Sequence, residues 1–444
     1  MSRATLLAVL LGAAVACAGD GADGSGGAAG SAAVVEVPRD TPSLRRAVDL
    51  VRPGGLVLVS PGVYRESVTV AKPRVVLRGT DRSGVVVDGQ FKRPNGITVT
   101  GAGAVVENLT VRNHLANGVL FTGVTDERLQ AGRAGGSAYD PLDTAKFPPL
   151  KGFRASYVTA YNNALYGIYA FDARDGLIEH AYASGHADSG IYVGQCNPCE
   201  TVVRDSTAEH NAVGLEVTNA SEHLYFLGNR ASRNRVGLTL NSNDLEALGP
   251  QHAVVVAGNA LTGNNDDQSP EQADGGFGIG LGVGGGRANV IERNLISGNR
   301  AAGILLSDVQ GYPARDNSVR ANRVTGNGTD LVLGTGAPAG NCFSDDRGAT
   351  TSPVRLPRAV RCGSQAPADR AEDPAADLGR PALGRARPVQ APPGISFQDV
   401  PAPPRQPELP HASSAPARPA VGLPGRVDPA AFPLPARAGA VPRH

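Results

Sequence analysis

The stretch that decides the fold of this chain consists of two similar rows. Residues 199–217 read CETVVRDSTAEHNAVGLEV, and residues 223–240 read HLYFLGNRASRNRVGLTL. Each row ends on a glycine followed by aliphatic residues at alternate positions. The same signal, or a close variant of it, recurs at Gly167, Gly190, Gly214, Gly237 and Gly303, and the first four of these glycines lie 23, 24 and 23 residues apart. A fixed period of this length indicates stacked structural repeats.

Short strands, rather than helices, fill these rows. Each row holds two or three short runs rich in Val, Ile and Leu, separated by Gly, Asn, Asp and Ser. This pattern is typical of strands. Strands that return to the same place one row later predict an all-β solenoid, the single-stranded parallel β-helix. The positions expected to point inward and form its core are Ile168, Ala170, Ile191, Val193, Leu215, Val217, Leu238, Leu240, Ile304 and Leu306.

Pairs of asparagines five residues apart recur in successive rows. The pairs are Asn229/Asn234, Asn259/Asn264, Asn294/Asn299 and Asn322/Asn327, with Asn108/Asn113 upstream. Asparagine tolerates the left-handed conformation that turns require, and its amide can bond the same amide of a stacked neighbour. We therefore predict that these residues occupy turns and form ladders along the solenoid.

The first 33 residues have the composition of an export signal and a tether. Arg3 precedes an apolar run that is too short to span a bilayer, and small residues lead to Cys17. Residues 1–17 resemble a bacterial lipoprotein signal, which implies diacylation of Cys17 and an anchor in the outer face of the cell membrane. An ordinary cleaved signal and a secreted protein are the alternative. Residues 18–33, rich in Gly, Ala and Ser, are expected to form a flexible tether.

A short amphipathic helix is predicted at residues 41–51, where it would cap the open end of the solenoid. Short strands follow it, with the motif Pro61-Gly-Val-Tyr64-Arg-Glu66 between two of them and Gly79 after another. This order resembles the first coils of pectin-lyase-like right-handed β-helices. Residues 34–362 are similar to bacterial right-handed parallel β-helix repeat proteins. The resemblance implies a right-handed solenoid and leaves the chemistry open, because this fold serves many functions.

Two stretches, residues 123–152 and 245–276, break the period and have the composition of loops. Insertions in solenoids gather on one face and often border the binding surface. In the second stretch, Asp266, Asp267 and Asp274 could hold Ca²⁺ through their carboxylate oxygens. A solvated loop is the alternative.

Four cysteines besides Cys17 predict two disulfides, because an even number in an exported chain is normally paired. Cys342 and Cys362 would close the C-terminal end of the solenoid. Cys196 and Cys199 fit a disulfide better than a redox motif or half of a zinc site. The sequence shows neither a thioredoxin-like unit around them nor two further zinc ligands at suitable spacing.

Residues 363–444 hold 18 of the chain's 34 prolines and little hydrophobic alternation. A segment of this kind cannot bury enough apolar surface to offset its ordering entropy, so we expect a disordered or polyproline II tail. The formal net charge of +1 gives no electrostatic case for nucleic acid. We expect a monomer whose partners are a polysaccharide and, through the lipid, the membrane.

Outward side chains of successive coils lie about 4.8 Å apart and so form rows. The residues two and five positions after the repeating glycine are polar or aromatic, and they include Tyr169, Tyr192, Glu216, Asp172, Gln195 and Asn219. We predict that they form one exposed strip that binds a polysaccharide. An acidic polysaccharide is expected if Arg174 and Arg204 border the strip. A solvated sheet face is the alternative.

Three residues near this strip have the chemistry of a polysaccharide lyase or epimerase. His186 or Tyr192 would accept the proton beside a uronate carboxyl group, and Asp188 or a bound cation would assist. The signature motifs of mannuronan epimerases, polygalacturonases and pectinesterases are missing. The sequence therefore leaves open whether the protein modifies its polysaccharide. A non-catalytic scaffold or adhesin on the cell surface is the alternative function.

Overall fold

The computed structural model describes residues 30–130, 143–244, 246–271, 275–334, 340–346, 350–354, 356, 362, 385–414 and 427–436. The signal with Cys17 and most of the tether therefore lie outside the described residues. Among the described residues, the helical elements with defined bounds are α1 (Leu44–Leu50), α2 (Glu127–Gln130) and a 3-10 turn at Pro429–Ala431. Within the described ranges, no helix is long and apolar enough to cross a membrane.

The described ranges contain thirty-one short strands. The first eleven are β1 (Ala32–Val37), β2 (Val51–Val59), β3 (Gly62–Tyr64), β4 (Val68–Val70), β5 (Val76–Gly79), β6 (Val85–Asp88), β7 (Ile97–Val99), β8 (Ala104–Arg112), β9 (Val119–Thr122), β10 (Leu150–Tyr161) and β11 (Ile168–Phe171). The next ten are β12 (Ala173–Glu179), β13 (Tyr182–Ser184), β14 (Ser189–Cys196), β15 (Thr201–Arg204), β16 (Thr207–Glu209), β17 (Val213–Ala220), β18 (Leu224–Leu227), β19 (Arg230–Ser232), β20 (Val236–Asn241) and β21 (Val254–Ala257). The last ten are β22 (Ala260–Thr262), β23 (Ile279–Gly284), β24 (Val290–Glu292), β25 (Leu295–Ser297), β26 (Ala302–Ser307), β27 (Ser318–Arg320), β28 (Arg323–Thr325), β29 (Leu331–Leu333), β30 (Cys342–Ser344) and β31 (Thr351–Ser352).

The strands stack into three parallel faces that wind around one core. Face one is the ladder β1, β2, β5, β8, β10, β12, β15, β18, β21, β24, β27 and β30. Face two contains β3, β6, β13, β16, β19, β22, β25 and β28, joined through the long strands β8 and β10, which continue onto it from face one. Face three is a separate 11-stranded sheet from β4 to β31. The predicted parallel β-helix is confirmed.

Aliphatic residues in register build the core. On face three, Ile168 pairs with Ile191, Ile191 with Leu215, and Leu215 with Leu238. All the positions predicted to point inward are fully buried. Because each strand has only a few residues, no single coil could bury this surface alone, and stacking supplies the core.

Side-chain ladders run along the corners between faces, as predicted for the asparagines. The first ladder lies between faces two and three and passes through His114, Asn163, His186, Asn211, Asn234, Asn264, Asn299 and Asn327. In its asparagine part, each side-chain oxygen accepts the main-chain N–H and the side-chain amide of the preceding rung. A second ladder, Asn229 to Asn322, lies between faces one and two. The two end on Asp330 and Asp346, whose oxygens accept from Asn327 and Asn322.

Both ends of the solenoid are closed by specific contacts. At the N-terminal end, Leu44, Ala47 and Val48 of α1 are buried, which confirms the predicted capping helix. Ser43 is the N-cap of the helix, and its side chain accepts the main-chain N–H of Arg46 at 3.2 Å. The Glu66 carboxylate accepts the main-chain N–H of Leu44 at 3.0 Å. At the other end, the predicted disulfide Cys342–Cys362 is present, and so is Cys196–Cys199 in the middle coils.

The expectation of a disordered tail is wrong for residues 385–414 and 427–436, which lie against the solenoid. The Arg387 main-chain N–H donates to Ala301 at 3.2 Å, and that of Leu409 donates to the Asn108 side chain at 2.8 Å. Val400 is buried, and Phe397 meets Phe91 edge to face at 5.8 Å between ring centroids. Amino-acid composition reflects the few apolar groups of the tail, whereas its main-chain carbonyls also bind the solenoid.

Candidate functional site: a tyrosine and carboxylate patch on face three

Three tyrosines stack on the outer side of face three. Tyr169 pairs with Tyr192 in register, and their rings lie 4.7 Å apart with 13° between the ring planes. Tyr166 lies one residue before Gly167, and its ring is 4.4 Å from Tyr169 and 4.8 Å from Tyr192. Tyr166 and Tyr169 are half-buried and present ring surface to solvent, whereas Tyr192 is only 2% exposed. The predicted row of aromatic side chains is present, with Tyr166 as a member that the spacing did not reveal.

Carboxyl groups continue the row where the tyrosines end. Glu216 pairs with Tyr192 in register and is followed by Thr239. The Ser189 hydroxyl bonds the Glu216 carboxyl group and also lies 3.2 Å from Asp188. Thr218 donates to Glu216 at 3.2 Å. Polar groups thus extend the aromatic surface by one coil in the C-terminal direction.

The second insertion folds over this row and adds another carboxyl group. The Tyr192 hydroxyl donates to the Glu246 carboxylate at 2.5 Å, and the main-chain N–H of Ala247 donates to Gln195 at 3.0 Å. We call Tyr166, Tyr169, Tyr192, Glu216 and Glu246 the tyrosine patch. The sequence identified the insertion as a border of the binding surface but not Glu246 itself, because a loop residue has no register with the coils.

Burial sets the protonation of the patch. Burial raises the pKa of Glu246 to about 7, and the hydrogen bond from Tyr192 partly opposes this rise. Burial also raises the pKa of Glu216 well above its ordinary value, and the nearby Asp188 charge adds to the rise. Burial also raises the pKa of the Tyr192 phenol, and the negative charge of Glu246 raises it further. Tyr192 is therefore a proton donor at neutral pH, and Glu246 can exchange a proton there.

Asp172, Gln195 and Asn219 are not part of the exposed strip predicted from the sequence. Their side chains are fully buried at the corner that follows face three. Their φ angles are 53°, 51° and 43°, so each takes the left-handed conformation that turns the chain out of the sheet. The alternation assumed for the fifth residue after the glycine is interrupted there. Asp172 follows the end of β11, whereas Gln195 and Asn219 lie next to the last residue of β14 and β17 with a left-handed backbone.

His186 also lies inside the molecule, and its predicted place on the binding surface is wrong. Its ring is fully buried as a rung of the first ladder, with Nδ1 3.3 Å from the Asn163 main chain and Nε2 3.3 Å from the Ala160 carbonyl. Burial lowers the pKa of His186 to about 4. The histidine stands where the next coils carry asparagine, so its role here is structural. Asp188 is half-buried and does lie beside the patch, linked through Ser189.

Arg204 belongs to another face. It lies at the end of β15 on face one, and its guanidinium donates to Glu179 at 2.6 Å. One coil contributes to all three faces, so residues about half a coil apart point in different directions. No ion pair joins Glu216 or Glu246 to a basic side chain within the described ranges. The arginine border that would favour an acidic polysaccharide is therefore not formed by Arg204.

The Asp172 carboxyl group predicts a pH dependence of stability. Both of its oxygens are buried without a hydrogen-bond partner among the described residues, and burial raises its pKa to about 7. In an unfolded chain the pKa is about 3.9, so the folded protein holds more protons between these two values. The contribution of Asp172 to stability should therefore fall as the pH rises from about 4 to about 7.

Replacement of Asp172 by Asn should reduce this loss, because the amide does not ionise. The measurement is the melting temperature between pH 4 and pH 8. Asp175→Asn is the control, since Asp175 lies three residues further along the chain with a partly exposed carboxylate near Arg174. The melting temperature of Asp172→Asn relative to wild type should rise between pH 4 and pH 7, and an unchanged difference across this range would contradict the assignment.

No cluster of three or more His, Cys, Asp or Glu side chains in the described ranges is arranged to hold a metal ion. Asp266, one of the residues considered for Ca²⁺, instead accepts hydrogen bonds from His210 and Ser269, each at 2.7 Å. Asp274 lies outside the described residues. Ca²⁺ binding by this loop stays a prediction from the sequence.

Comparison with known proteins bears on the fold. The family model for the right-handed β-helix region matches residues 95–247. No curated protein sequence matches the chain.

Among solved structures, the A-module of the mannuronan C-5 epimerase AlgE4 from Azotobacter vinelandii is 16% identical, with 73% of this chain and 94% of that chain covered and a TM-score of 0.47. Tailspike protein 2 of bacteriophage CBA120 is 11% identical, with 67% and 43% covered and a TM-score of 0.46. The pectate lyase Pel9A is 16% identical, with 71% and 72% covered and a TM-score of 0.37. These similarities say nothing about ligand or activity. Together with the three stacked faces, the family match shows that the chain is a right-handed parallel β-helix protein.

Proposed function

We propose that face three binds a polysaccharide chain across the tyrosine patch. The observation that carries the proposal is the stack of Tyr166, Tyr169 and Tyr192 continued by the carboxyl groups of Glu216 and Glu246. Aromatic rings offer flat apolar area to the faces of sugar rings, and the neighbouring carboxyl groups can bond their hydroxyl groups. The rows run along the solenoid axis, which suits an extended ligand better than a compact one.

The charge of the patch favours neutral or amine-bearing sugars over the acidic sugars expected from the sequence. Glu216 and Glu246 have no basic partner among the described residues, so a uronate beside them would meet uncompensated negative charge whenever either group is ionised. An uncharged hydroxyl group or an ammonium group meets no such repulsion. The acidic-polysaccharide hypothesis depended on arginines at the border, and Arg204 is committed to Glu179.

Modification of the bound chain is a second candidate function, supported by the pair Tyr192 and Glu246. A carboxyl group with a pKa of about 7 can act as a general base or a general acid at neutral pH. The phenol beside it would supply a proton rather than accept one, because its pKa is raised. If the protein cleaves or epimerises its ligand, these two residues therefore replace His186 in the proton transfer that the sequence suggested.

Binding should weaken when the accessible rings are removed. Each stacking contact contributes about 1 kcal/mol or slightly more, so Tyr169→Ala should weaken binding about fivefold to tenfold. Tyr166→Ala combined with Tyr169→Ala should weaken it by one to two orders of magnitude, at roughly 1.4 kcal/mol per tenfold. The measurement is binding to a panel of neutral, amine-bearing and uronate polysaccharides, with assays for new reducing ends and unsaturated uronates alongside.

Tyr225→Ala is the matched control, because Tyr225 is a half-buried tyrosine of β18 on face one rather than on face three. Unchanged binding by the double variant would move the site elsewhere. Failure of the wild type to bind any polysaccharide would favour the scaffold or adhesin alternative. Export and anchoring at Cys17 remain proposals, and a Cys17→Ser variant that stays in the membrane fraction would refute the anchor.

A further inference from the structure

Side chains of the solenoid donate hydrogen bonds to main-chain carbonyls of the C-terminal segment. Arg235 reaches Pro392 at 2.6 Å, and Asn162 reaches Val400 at 2.9 Å. Arg82 reaches Pro407 at 2.7 Å. These donors lie along the corners on either side of face two, and residues 385–409 follow them from the C-terminal coils to the N-terminal coils.

Two of these donors are buried to a degree that is unusual for arginine. Arg82 and Arg235 are each 2% exposed. Arg82 also donates to the Thr159 hydroxyl at 2.8 Å and to the Val158 carbonyl at 2.9 Å, and it forms no ion pair within the described ranges. Burial lowers its pKa to about 9. A buried guanidinium whose partners are neutral oxygens is costly unless those oxygens are all in place, and the tail carbonyl is one of them.

Proline-rich chains are suited to donors of this kind. A polyproline II segment has no internal hydrogen bonds, so its carbonyls stay available to outside donors. Proline also sets the backbone in advance, which reduces the entropy lost on binding. Residues 385–410 contain eight of the prolines of the chain, and the donors reach the carbonyls of Pro392, Val400 and Pro407 along this stretch.

Apolar contacts anchor both described segments of the tail, residues 385–414 through Val400 and residues 427–436 through Phe432. Val400 is 3% exposed, and a side chain built on Gly185 would lie 3.0 Å from it. Phe432 lies over Gly228 and Gly258, where an added Cβ would come within 2.8 Å of it. The solenoid thus has small residues where the tail places large ones.

We propose that the corners on either side of face two form a binding groove for extended proline-rich peptides, with Arg82, Asn162 and Arg235 as its donors, and that residues 385–414 of the chain fill it. The groove would bind such peptides in a mode common to proline-rich ligands. Fixed donors form hydrogen bonds to the peptide carbonyls, and the intervening side chains enter apolar recesses. The groove lies on surfaces other than the tyrosine patch, so peptide binding can be tested independently of polysaccharide binding.

The test begins with the full chain carrying a protease site inserted within residues 364–384. After cleavage, the tail fragment should co-elute with the solenoid in size-exclusion chromatography. A labelled peptide of residues 385–414 should replace it in a saturable manner. The same peptide with alanine in place of every proline should bind at least about tenfold less tightly, because it loses the pre-set conformation.

Variants of the donors complete the test. Arg82→Lys and Arg235→Lys should each weaken the peptide about tenfold, since a charge-assisted hydrogen bond contributes about 1.5 kcal/mol or more. Arg320→Lys is the matched control, because its guanidinium bonds Glu292 on face one. Circular dichroism shows whether each variant keeps its fold. Release of the tail fragment on cleavage without saturable peptide binding would overturn the proposal, as would equal weakening by Arg320→Lys.

Discussion

Replacing Asn234 by alanine should lower the free energy of unfolding by about 4 kcal/mol, because several buried partners would lose their hydrogen bonds at once. The Asn234 oxygen accepts the main-chain N–H of Asn211 at 3.0 Å, and its amide donates to Ala208 at 2.9 Å and to Asn264 at 3.0 Å. The side chain is fully buried, so water cannot replace these partners. Chemical denaturation followed by circular dichroism measures the change.

Two further variants distinguish the loss of the ladder hydrogen bonds from a nonspecific effect of substitution on stability. Thr69→Ala changes an exposed side chain on β4 and should alter stability by no more than about 0.5 kcal/mol. Asn234→Asp keeps the acceptor and removes the amide donors. Its loss in the free energy of unfolding should therefore fall between those of Thr69→Ala and Asn234→Ala. If the buried carboxylate is ionised, the loss should exceed both. A loss below about 1 kcal/mol for Asn234→Ala would mean that the ladder contributes little to stability.

A chain that ends at Gly363 should melt at least about 5 °C lower than the full chain, given a loss of a few kcal/mol. Removal of the tail takes away the carbonyl that Arg82 bonds at 2.7 Å and the one that Arg235 bonds at 2.6 Å. It also exposes the surface under Val400 and Phe432. Both guanidinium groups would then depend on water for the lost hydrogen bonds.

The control for this truncation ends the chain after Ala436, which keeps both described parts of the tail. Its melting temperature should match that of the full chain within about 1 °C, because this chain keeps every contact described between the tail and the solenoid. Equal melting of the full chain and the chain ending at Gly363 would contradict the packing of the tail and restore the view that it contributes nothing to stability.

The sequence predicted the coils well, because their information is periodic. The 23-residue spacing, the aliphatic positions such as Ile191 and Leu215, and the paired asparagines each repeat in many rows, so one irregular row does not hide the pattern. The same reasoning placed Tyr169 and Tyr192 in one row correctly. It failed at Asp172 and its equivalents Gln195 and Asn219, since the left-handed backbone of these residues, which the period does not reveal, breaks the alternation of side chains.

Contacts between distant segments could not be read from the pattern. Glu246 reaches Tyr192 from an insertion, and Pro407 reaches Arg82 from a segment 325 residues away in the chain. Neither residue has a fixed register with the coils. The prediction for His186 was wrong for another reason. Its residue type suggested catalysis, but it occupies the position of Asn211 in the next coil, which indicates a rung of the ladder.

Asp330 and Asp346, the aspartates that end the two ladders, bear on the length of the solenoid. An asparagine rung accepts hydrogen bonds from the preceding rung and donates them to the next, so its amide needs a further acceptor beyond it. Asp330 and Asp346, when ionised, accept from Asn327 and Asn322 but have no amide to offer. They act as chemical stops, so the protein should tolerate duplication of a whole interior coil more readily than an extra coil added after these residues.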